Sequence, residues 1–308
     1  MLMFPPVYSQ DYLEAINPTT SPARLRILCK NPDKEIQVHA AANVSTPQDC
    51  LEDLFKLNDI NLNLSLAHNK SCPGHILEEL GKTSEPYLLS LICENRSTPE
   101  KTLYIIYEKG IRFYIRLLAR NPSCPLELLI ELSKIPEHER EVAANTNTPS
   151  SILEKLSKSR KIRVRQEIAN NPSTPLQVLE KLYEDPKMHR YLAVNSSINL
   201  NVIRLLAKTT DETVGYFLAG RRNLPVDIQF KLAQSKLRWI KIGLAENPQT
   251  DPGVLEVLAT KRGVRLKATI IENPNCPKTV IQKLQDKKYL PNRVQIPLRK
   301  KLNKEIHL

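Results

Sequence analysis

The sequence contains little glycine and few aromatic residues. Of 308 residues, 8 are glycine and 5% are Phe, Trp or Tyr. Nucleotide-binding loops need closely spaced glycines, and surfaces that stack nucleic-acid bases need several aromatic rings. The motifs GxGxxG, GxxxxGKS, GxSxG and HExxH do not occur in the chain. We therefore predict a protein that is not an enzyme and that binds no cofactor.

Paired cysteines and long apolar segments are also lacking. The 6 cysteines stand singly, and the N-terminus has no export signal. No apolar run approaches the roughly 18 residues that a membrane span needs. His68, Cys72 and His75 are spaced as three metal ligands, one fewer than a closed zinc site uses. These features predict a reduced, cytoplasmic protein with neither a membrane contact nor a metal centre.

Proline is abundant, with 23 residues, and its positions reveal a repeat. An asparagine is followed four or five residues later by proline, and successive asparagines lie 24 or 26 residues apart. The positions are Asn17, Asn43, Asn69, Asn95, Asn121, Asn145, Asn171, Asn247 and Asn273, and Asn195 and Arg221 continue the series less faithfully. This period predicts about eleven stacked repeats of about 26 residues, because one unit cannot bury its apolar face alone.

Each repeat has the pattern of two short helices. Apolar residues after the asparagine, such as Leu128, Leu129 and Leu132, form one face of a first helix. The Ser, Thr or Asp before the proline, as at Thr46, is expected to cap the start of that helix. A short second helix, partly 3₁₀, is expected to end near a small alanine two residues before the next asparagine. The asparagine is predicted to be structural, through either a left-handed backbone or a bond to a neighbouring layer.

Three segments resemble the variant leucine-rich repeat family. They are VRQEIANNPSTPLQVLEKL (164–182), LARNPSCPLELLIELS (118–133) and LKATIIENPNCPKTVIQKL (266–284). The resemblance covers roughly residues 15–286 and implies an all-α, right-handed solenoid of alternating α and 3₁₀ helices without catalytic activity. A founding member of that family has an N-terminal cysteine cluster for an iron-sulfur centre, whereas residues 1–28 here contain no cysteine. Residues 1–14 are predicted to form an N-terminal cap, and residues 287–308 a basic C-terminal cap.

Charge is distributed unevenly along the chain. The net charge is +12, but residues 1–150 carry 15 Lys and Arg against 19 Asp and Glu, so residues 151–308 are strongly basic. In the basic half, cations recur in the loop between the two helices and on the second helix. The predicted binding residues are Arg160, Lys161, Arg163, Arg165, Arg221, Arg222, Lys236, Arg238, Lys241, Lys261, Arg262, Arg265, Lys267, Lys288 and Arg293. Stacking at roughly 10 Å would align Lys236, Arg262 and Lys288 into a ridge.

The repeats that begin at Asn195 and Arg221 depart most from the pattern. Asn199 replaces proline, Arg221 replaces asparagine, and Gln229 stands in a leucine column. This departure indicates either drift or a surface changed for a partner. The acidic segment EHERE, residues 137–141, is interpreted as a solvated helix face.

These observations support three hypotheses on function. The leading one is a non-enzymatic cytoplasmic scaffold that binds another protein. Its basic C-terminal half would contact an acidic surface of that partner. The alternative is nucleic-acid binding through phosphate contacts along residues 158–293. A helical-repeat enzyme that acts on nucleic acid is the third. No small-molecule substrate is predicted.

Overall fold

Each repeat folds into two α-helices joined by a short loop. The structure, a computed structural model, describes residues 9–285 and 291–306, and this part of the chain contains helices and turns but no strand. The chain forms two compact units, Met1–Ile152 and Leu153–Leu308. The division falls where the charge of the sequence changes sign.

In the first unit, the helices are α1 (Gln10–Ile16), α2 (Pro22–Leu28), α3 (Lys34–Ala42), α4 (Gln48–Lys56), α5 (Ile60–His68), α6 (Gly74–Leu80), α7 (Pro86–Glu94), α8 (Glu100–Glu108), α9 (Arg112–Arg120), α10 (Leu126–Leu132) and α11 (Glu139–Ala144). The chain passes into the second unit within α12 (Ser150–Leu156).

In the second unit, the helices are α13 (Ile162–Asn170), α14 (Leu176–Leu182), α15 (His189–Val194), α16 (Leu200–Leu206), α17 (Glu212–Ala219), α18 (Val226–Ala233), α19 (Arg238–Glu246), α20 (Pro252–Ala259), α21 (Val264–Glu272), α22 (Lys278–Gln285) and α23 (Asn292–Ile306).

The odd-numbered helices are the second helices of the repeats. Within each unit, each of them packs on the next odd-numbered helix, and the even-numbered helices pack beside them. This arrangement confirms the predicted all-α helical-repeat solenoid. Both helices of a repeat are α-helices, and 3₁₀ geometry occurs, among the described residues, only at Pro186–Met188 before α15. No helix in the described ranges is both long and apolar enough to cross a membrane.

The core consists of the predicted apolar columns. Leu128, Leu129 and Leu132 are fully buried, and so are Ile168 and Leu244 of the second helices. The alanine column, which includes Ala41, Ala67, Ala119, Ala143, Ala169, Ala193, Ala219 and Ala245, is also fully buried. A methyl side chain at this position allows neighbouring second helices to pack closely.

The asparagine column links each repeat to the one before it. The side chain of Asn69 is fully buried, and its Nδ2 donates to the carbonyls of Ala41 at 2.8 Å and of Asn43 at 2.9 Å. Its Oδ1 accepts from the backbone N–H of Ser71 at 2.8 Å. The same three bonds recur at Asn43, Asn95, Asn121, Asn145, Asn195, Asn247 and Asn273. We call this arrangement the asparagine ladder.

The ladder decides between the two structural roles considered for the asparagine. The backbone of Asn69 is extended, with φ −72° and ψ 117°, so the left-handed alternative is wrong. The bond to a neighbouring layer is confirmed. Because each side chain satisfies polar groups of two repeats at once, the ladder supplies hydrogen bonds that would otherwise be missing in the interior.

The threonine column does not cap the first helix as expected. The Thr46 hydroxyl donates to the carbonyl of Ala40, six residues earlier in α3, at 2.6 Å. Pro47 is the N-cap residue of α4 and provides no side-chain cap. Thr98, Thr148, Thr174 and Thr250 make the same backward bond. The column therefore closes the end of the second helix, where carbonyls lack partners, whereas Ser21 and Asp251 do cap the first helix.

The last described helix continues the ladder with a different residue. Lys301 in α23 donates from Nζ to the carbonyl of Asn273 at 2.6 Å. In other repeats, an asparagine of the following repeat, or Arg221 at the carbonyl of Asn195, bonds to the equivalent carbonyl. The N-terminal cap predicted for residues 1–14 includes Ser9, the capping residue of α1, and only the first part of that helix, and residues 1–8 lie outside the described ranges.

Candidate binding surface

A cleft of about 730 Å³ opens in the second unit at the ends of the second helices α15, α17 and α19. Its walls include residues 193–196, 216–223 and 243–248, which come from three successive repeats. Val194, Ile203 and Phe217 make part of the lining apolar. The cleft thus lies on the repeats with the least regular sequence, for which the sequence indicated either drift or a surface changed for a partner.

Two glycines of the cleft have different roles. Gly220 precedes the ladder position, where other repeats have His68, Arg120 or Glu272. A Cβ atom at Gly220 would meet nothing closer than 3.7 Å, so the side chains of other repeats would occupy volume that is open here. Gly243 is buried, and a Cβ atom there would lie 3.0 Å from the ring of Tyr216, so this glycine allows α19 to pack closely on α17.

Arg221 takes the place of asparagine in the ladder. Its Nη1 donates to the carbonyls of Asn195 and, at 3.5 Å, of Ala193, and its Nη2 donates to the carbonyl of Ser196 at 3.0 Å. Burial lowers the pKa of the guanidinium from its ordinary value. The Nε–H and the second N–H of Nη2 have no acceptor among the described residues. Arg221 therefore preserves the ladder's bonds to the preceding carbonyls but not the bond that an asparagine accepts, and it adds a positive charge to the wall of the cleft.

Gln229, in the same irregular repeat, bonds to backbone groups of its own repeat and of the next one. Its side chain is buried and donates from Nε2 to the carbonyl of Leu224 at 2.8 Å. Its Oε1 accepts from the backbone N–H of Asp251 at 2.8 Å. The amide of the glutamine in this leucine column is therefore engaged within the protein.

Arg222 is the exposed cation of the cleft. It follows Arg221 directly, lines the same cleft, and has no hydrogen bond or ion pair among the described residues. The next residue, Asn223, has a left-handed backbone with φ 55°. Its N–H donates to Oε1 of Gln249 in the following repeat at 2.7 Å, which holds this turn against its neighbour.

Aromatic side chains form one rim of the cleft. Phe217 and Trp239 remain 39% and 41% exposed, which is unusual for large rings in a folded protein. The guanidinium of Arg265 lies 4.6 Å from the centre of the Trp239 ring. Glu246 accepts from the Tyr216 hydroxyl at 2.8 Å and pairs with Arg265 at 3.6 Å. This network fixes the rim and neutralises part of its charge.

The loop cations lie at the opposite end of the second helices. Lys236, Arg238 and Arg262 stand at or before the starts of α19 and α21, and all three are exposed. A helix of 9 residues, such as α19, is about 13 Å long, so these cations and Arg221 lie at different ends. Lys261 donates to Oε1 of Gln234 at 3.3 Å, which makes the two loops neighbours. The predicted binding residues therefore form more than one patch.

Other predicted residues form a group around α13. Arg160, Lys161 and Arg163 are exposed, whereas Arg165 is half-buried. Arg165 donates to the carbonyl of Ser159 at 2.8 Å and pairs with Asp185 at 3.3 Å. The guanidinium of Arg165 is therefore engaged by groups of the same unit.

The remaining predicted residues lie on later repeats. Lys241 and Lys267 are half-buried at equivalent positions of α19 and α21. Arg293 is exposed near the start of α23. Lys288 lies outside the described residues, so the third member of the predicted ridge has no position here.

The cysteines are buried in the repeat columns. Burial raises the pKa of Cys29, Cys72, Cys93 and Cys124 to about 12, which keeps these thiols protonated and unreactive at neutral pH. Cys72 is 3% exposed, whereas His68 and His75 lie on the surface. In the described ranges, no three His, Cys, Asp or Glu residues are grouped to hold a metal ion.

The interpretation of residues 137–141 as a solvated face is wrong for two of them. His138 and Glu141 are 5% and 4% exposed. Arg116 on α9 pairs with the Glu141 carboxylate at 2.9 Å. The segment packs inward because the loop before α11 brings His138 against the core.

Sequence reasoning identified Arg221, Arg222 and the irregular repeats but missed the parts that shape the cleft. Gly220, Gly243 and Glu246 were not singled out. The two glycines carry a signal in the sequence, since each is the one glycine in its column of the repeat. The ionic contacts of Glu246 have no such signal.

No family model matches the chain, and no curated protein matches it.

Proposed function

We propose that this chain is a non-enzymatic helical-repeat scaffold of the cytoplasm, and that its second unit binds an acidic region of another protein. The observation that carries the proposal is the cleft between Arg221, Arg222 and the exposed Phe217 on a strongly basic unit. Exposed aromatic residues beside arginines are typical of protein-binding surfaces. The recurring A-x-N-P-x-[TC]-P motif supports membership of the variant leucine-rich repeat family.

The state of the cysteines supports a binding role over catalysis. A cysteine nucleophile needs a lowered pKa and access to substrate, whereas Cys72 and Cys124 are buried and their pKa is raised to about 12. The rim carboxylate of Glu246 is engaged by Tyr216 and Arg265.

Nucleic-acid binding is the second candidate, because the loops that carry Lys236 and Arg262 are neighbours. Several of the other predicted binding cations are engaged within the protein, however. Arg165 pairs with Asp185, Arg265 pairs with Glu246, and Lys261 bonds to Gln234. Each such contact competes with an anionic partner and reduces the expected dependence on salt. The apolar wall of the cleft, which a phosphate backbone does not cover, favours the protein partner.

A comparison of polyanions tests the proposal. We expect the chain to bind labelled poly-L-glutamate more tightly than duplex DNA or single-stranded RNA in fluorescence anisotropy at about 50 mM salt, where electrostatic association is strong. Charge reversal by Arg238→Glu and Arg262→Glu should weaken this binding. The matched variants Lys70→Glu and Arg96→Glu, on the first unit, should leave it unchanged. Tighter binding of DNA or RNA, or equal loss in both pairs of variants, would contradict the proposal.

A further inference from the structure

We propose that the cleft recognises an acidic peptide segment with one large apolar side chain, which enters between Phe217, Val194 and Ile203 while Arg221 and Arg222 bind the flanking carboxylates. This inference rests on the proposed function and assigns it a site and a ligand. The volume of the cleft, about 730 Å³, falls within the range of roughly 300–1,000 Å³ that is usual for ligand sites.

The apolar part of the ligand follows from the walls. Phe217 and Val194 are 39% and 46% exposed, and both face the cleft beside Ile203. Solvent contact of these groups is unfavourable, so an apolar side chain that covers them gains the free energy of burial. The missing side chain at Gly220 provides space for it, since a Cβ atom there would meet nothing closer than 3.7 Å.

The acidic part follows from the arginines. Arg221 keeps two N–H groups without an acceptor in the described part of the chain, and Arg222 has no partner there. Arginine has a planar fork of donors that matches a carboxylate. The one carboxylate of the cleft, on Glu246, is already held by Tyr216 and Arg265. The positive charge of the two arginines is therefore not neutralised within the cleft.

A peptide fits this arrangement better than a nucleic acid does. The apolar wall and the cations are contributed by three successive repeats, so an extended chain can contact them in turn. The aromatic rings that would stack bases are occupied instead by internal contacts, since Trp239 lies against Arg265 and Tyr216 bonds to Glu246. The ligand is a segment of a protein with carboxylates on both sides of an apolar residue.

Two substitutions test the site without disturbing the fold. Gly220→Leu fills the cleft, and a Cβ atom at this position would meet nothing closer than 3.7 Å. Its matched control is Ala42→Leu, at the equivalent position of the first unit. Arg222→Glu reverses an exposed charge, and its matched control is Arg96→Glu, which also follows the ladder residue. Urea unfolding of all four variants checks that they fold.

The probe is an array of short acidic peptides in which the central residue is varied through every amino acid. We expect the full chain to bind those with a central Phe, Leu, Ile or Trp, and both cleft variants to weaken the affinity about tenfold, the loss typical of a binding hot spot. The two control variants should bind like the original protein.

Three outcomes would overturn the assignment. The chain could bind no peptide of the array, or it could bind all of them irrespective of the central residue. The cleft variants could also bind as tightly as their controls. In that case, Arg238→Glu and Arg262→Glu can still weaken binding to poly-L-glutamate. The proposed function would then stand, with the binding surface of the second unit outside the cleft.

Discussion

In the first unit, the ladder positions from Asn43 to Asn145 are all asparagine, whereas the second unit has Arg221 at one of them. Both residues donate to carbonyls of the preceding repeat, but only asparagine also accepts from a backbone N–H of its own repeat, a bond that Gln249 replaces next to Arg221. Both N–H groups of the asparagine amide are engaged in these bonds, whereas the arginine keeps two N–H groups without an acceptor among the described residues. An array of equivalent repeats can therefore acquire a binding site by a change at one ladder position and the loss of nearby side chains.

The exposed aromatic residues of the two units sharpen this comparison. In the first unit, Tyr87 and Phe113 are 60% and 58% exposed on α7 and α9. In the second unit, Phe217 is less exposed and lines a cleft, and Trp239 lies 6.4 Å from the ring of Tyr216, which also lines it. The first unit is acidic and has exposed aromatic side chains. The second unit combines aromatic side chains with a cleft and with Arg221 and Arg222.

The largest expected effect concerns the ladder in the first unit. Asn69→Ala leaves two buried carbonyls and one N–H without their partner. We expect a loss of about 3 kcal/mol in the free energy of unfolding, because buried polar groups without partners are costly. The exposed Asn61→Ala on the same helix is the control and should change it little. Urea unfolding gives both values, and similar losses would show that the ladder is not a main source of stability.

A smaller effect is expected where two second helices of the second unit meet. A Cβ atom at Gly215 would lie 2.2 Å from Cδ1 of Ile240. We expect Gly215→Ala to cost about 2 kcal/mol by overpacking, and the added substitution Ile240→Val to recover part of it. Gly220→Ala has open space and is the matched control. Equal thermal stability of the two alanine variants would contradict this packing.

Exchange of the ladder residue addresses the comparison directly. Arg221→Asn restores the residue of the first unit and should change the free energy of unfolding by less than about 1 kcal/mol, since asparagine can make the same bonds. The same variant removes a cation from the cleft, so acidic peptide binding should weaken. Stability is measured by urea unfolding and affinity by fluorescence anisotropy. A large loss of stability would mean that the cleft requires arginine for its structure.

The smallest effect is a dependence on pH in the first unit. Burial lowers the pKa of His138 below its ordinary value of 6.5, so the unfolded chain binds this proton more readily. The stability contributed by the neutral imidazole is present above pH 6.5 and is lost as the pH falls through the lower pKa of the folded state. We expect His138→Gln to reduce the decrease in the urea midpoint on acidification. If the urea midpoint of the variant decreases by the same amount on acidification, other titratable groups cause that decrease.

The repeat could be predicted from the sequence because each column has one physical task. Leu128, Ala119 and Asn121 recur at fixed spacings, and such periodicity indicates a stacked core without knowledge of long-range contacts. The role of Thr46 could not be predicted, since Thr before Pro is compatible with a cap on the next helix or a bond back to the previous one. Only the backbone geometry distinguishes these alternatives.

The cleft itself could not be predicted from the sequence. The substitutions at Arg221 and Gln229 marked the repeats as irregular, but the direction of a long side chain depends on packing between layers. The space at Gly220 and the close packing at Gly243 also depend on contacts between two different repeats. The charge of the unit likewise did not reveal which cations, such as Arg165 and Arg265, are engaged internally.

Photo-crosslinking tests the central claim most directly. A benzoylphenylalanine is placed either at Phe217 in the second unit or at Phe113 in the first, and each protein is irradiated with the acidic peptide that binds best. We predict a crosslink from position 217 that is lost when Arg222→Glu is added, and none from position 113. A crosslink from position 113 alone, or equal crosslinks from both positions, would contradict the account.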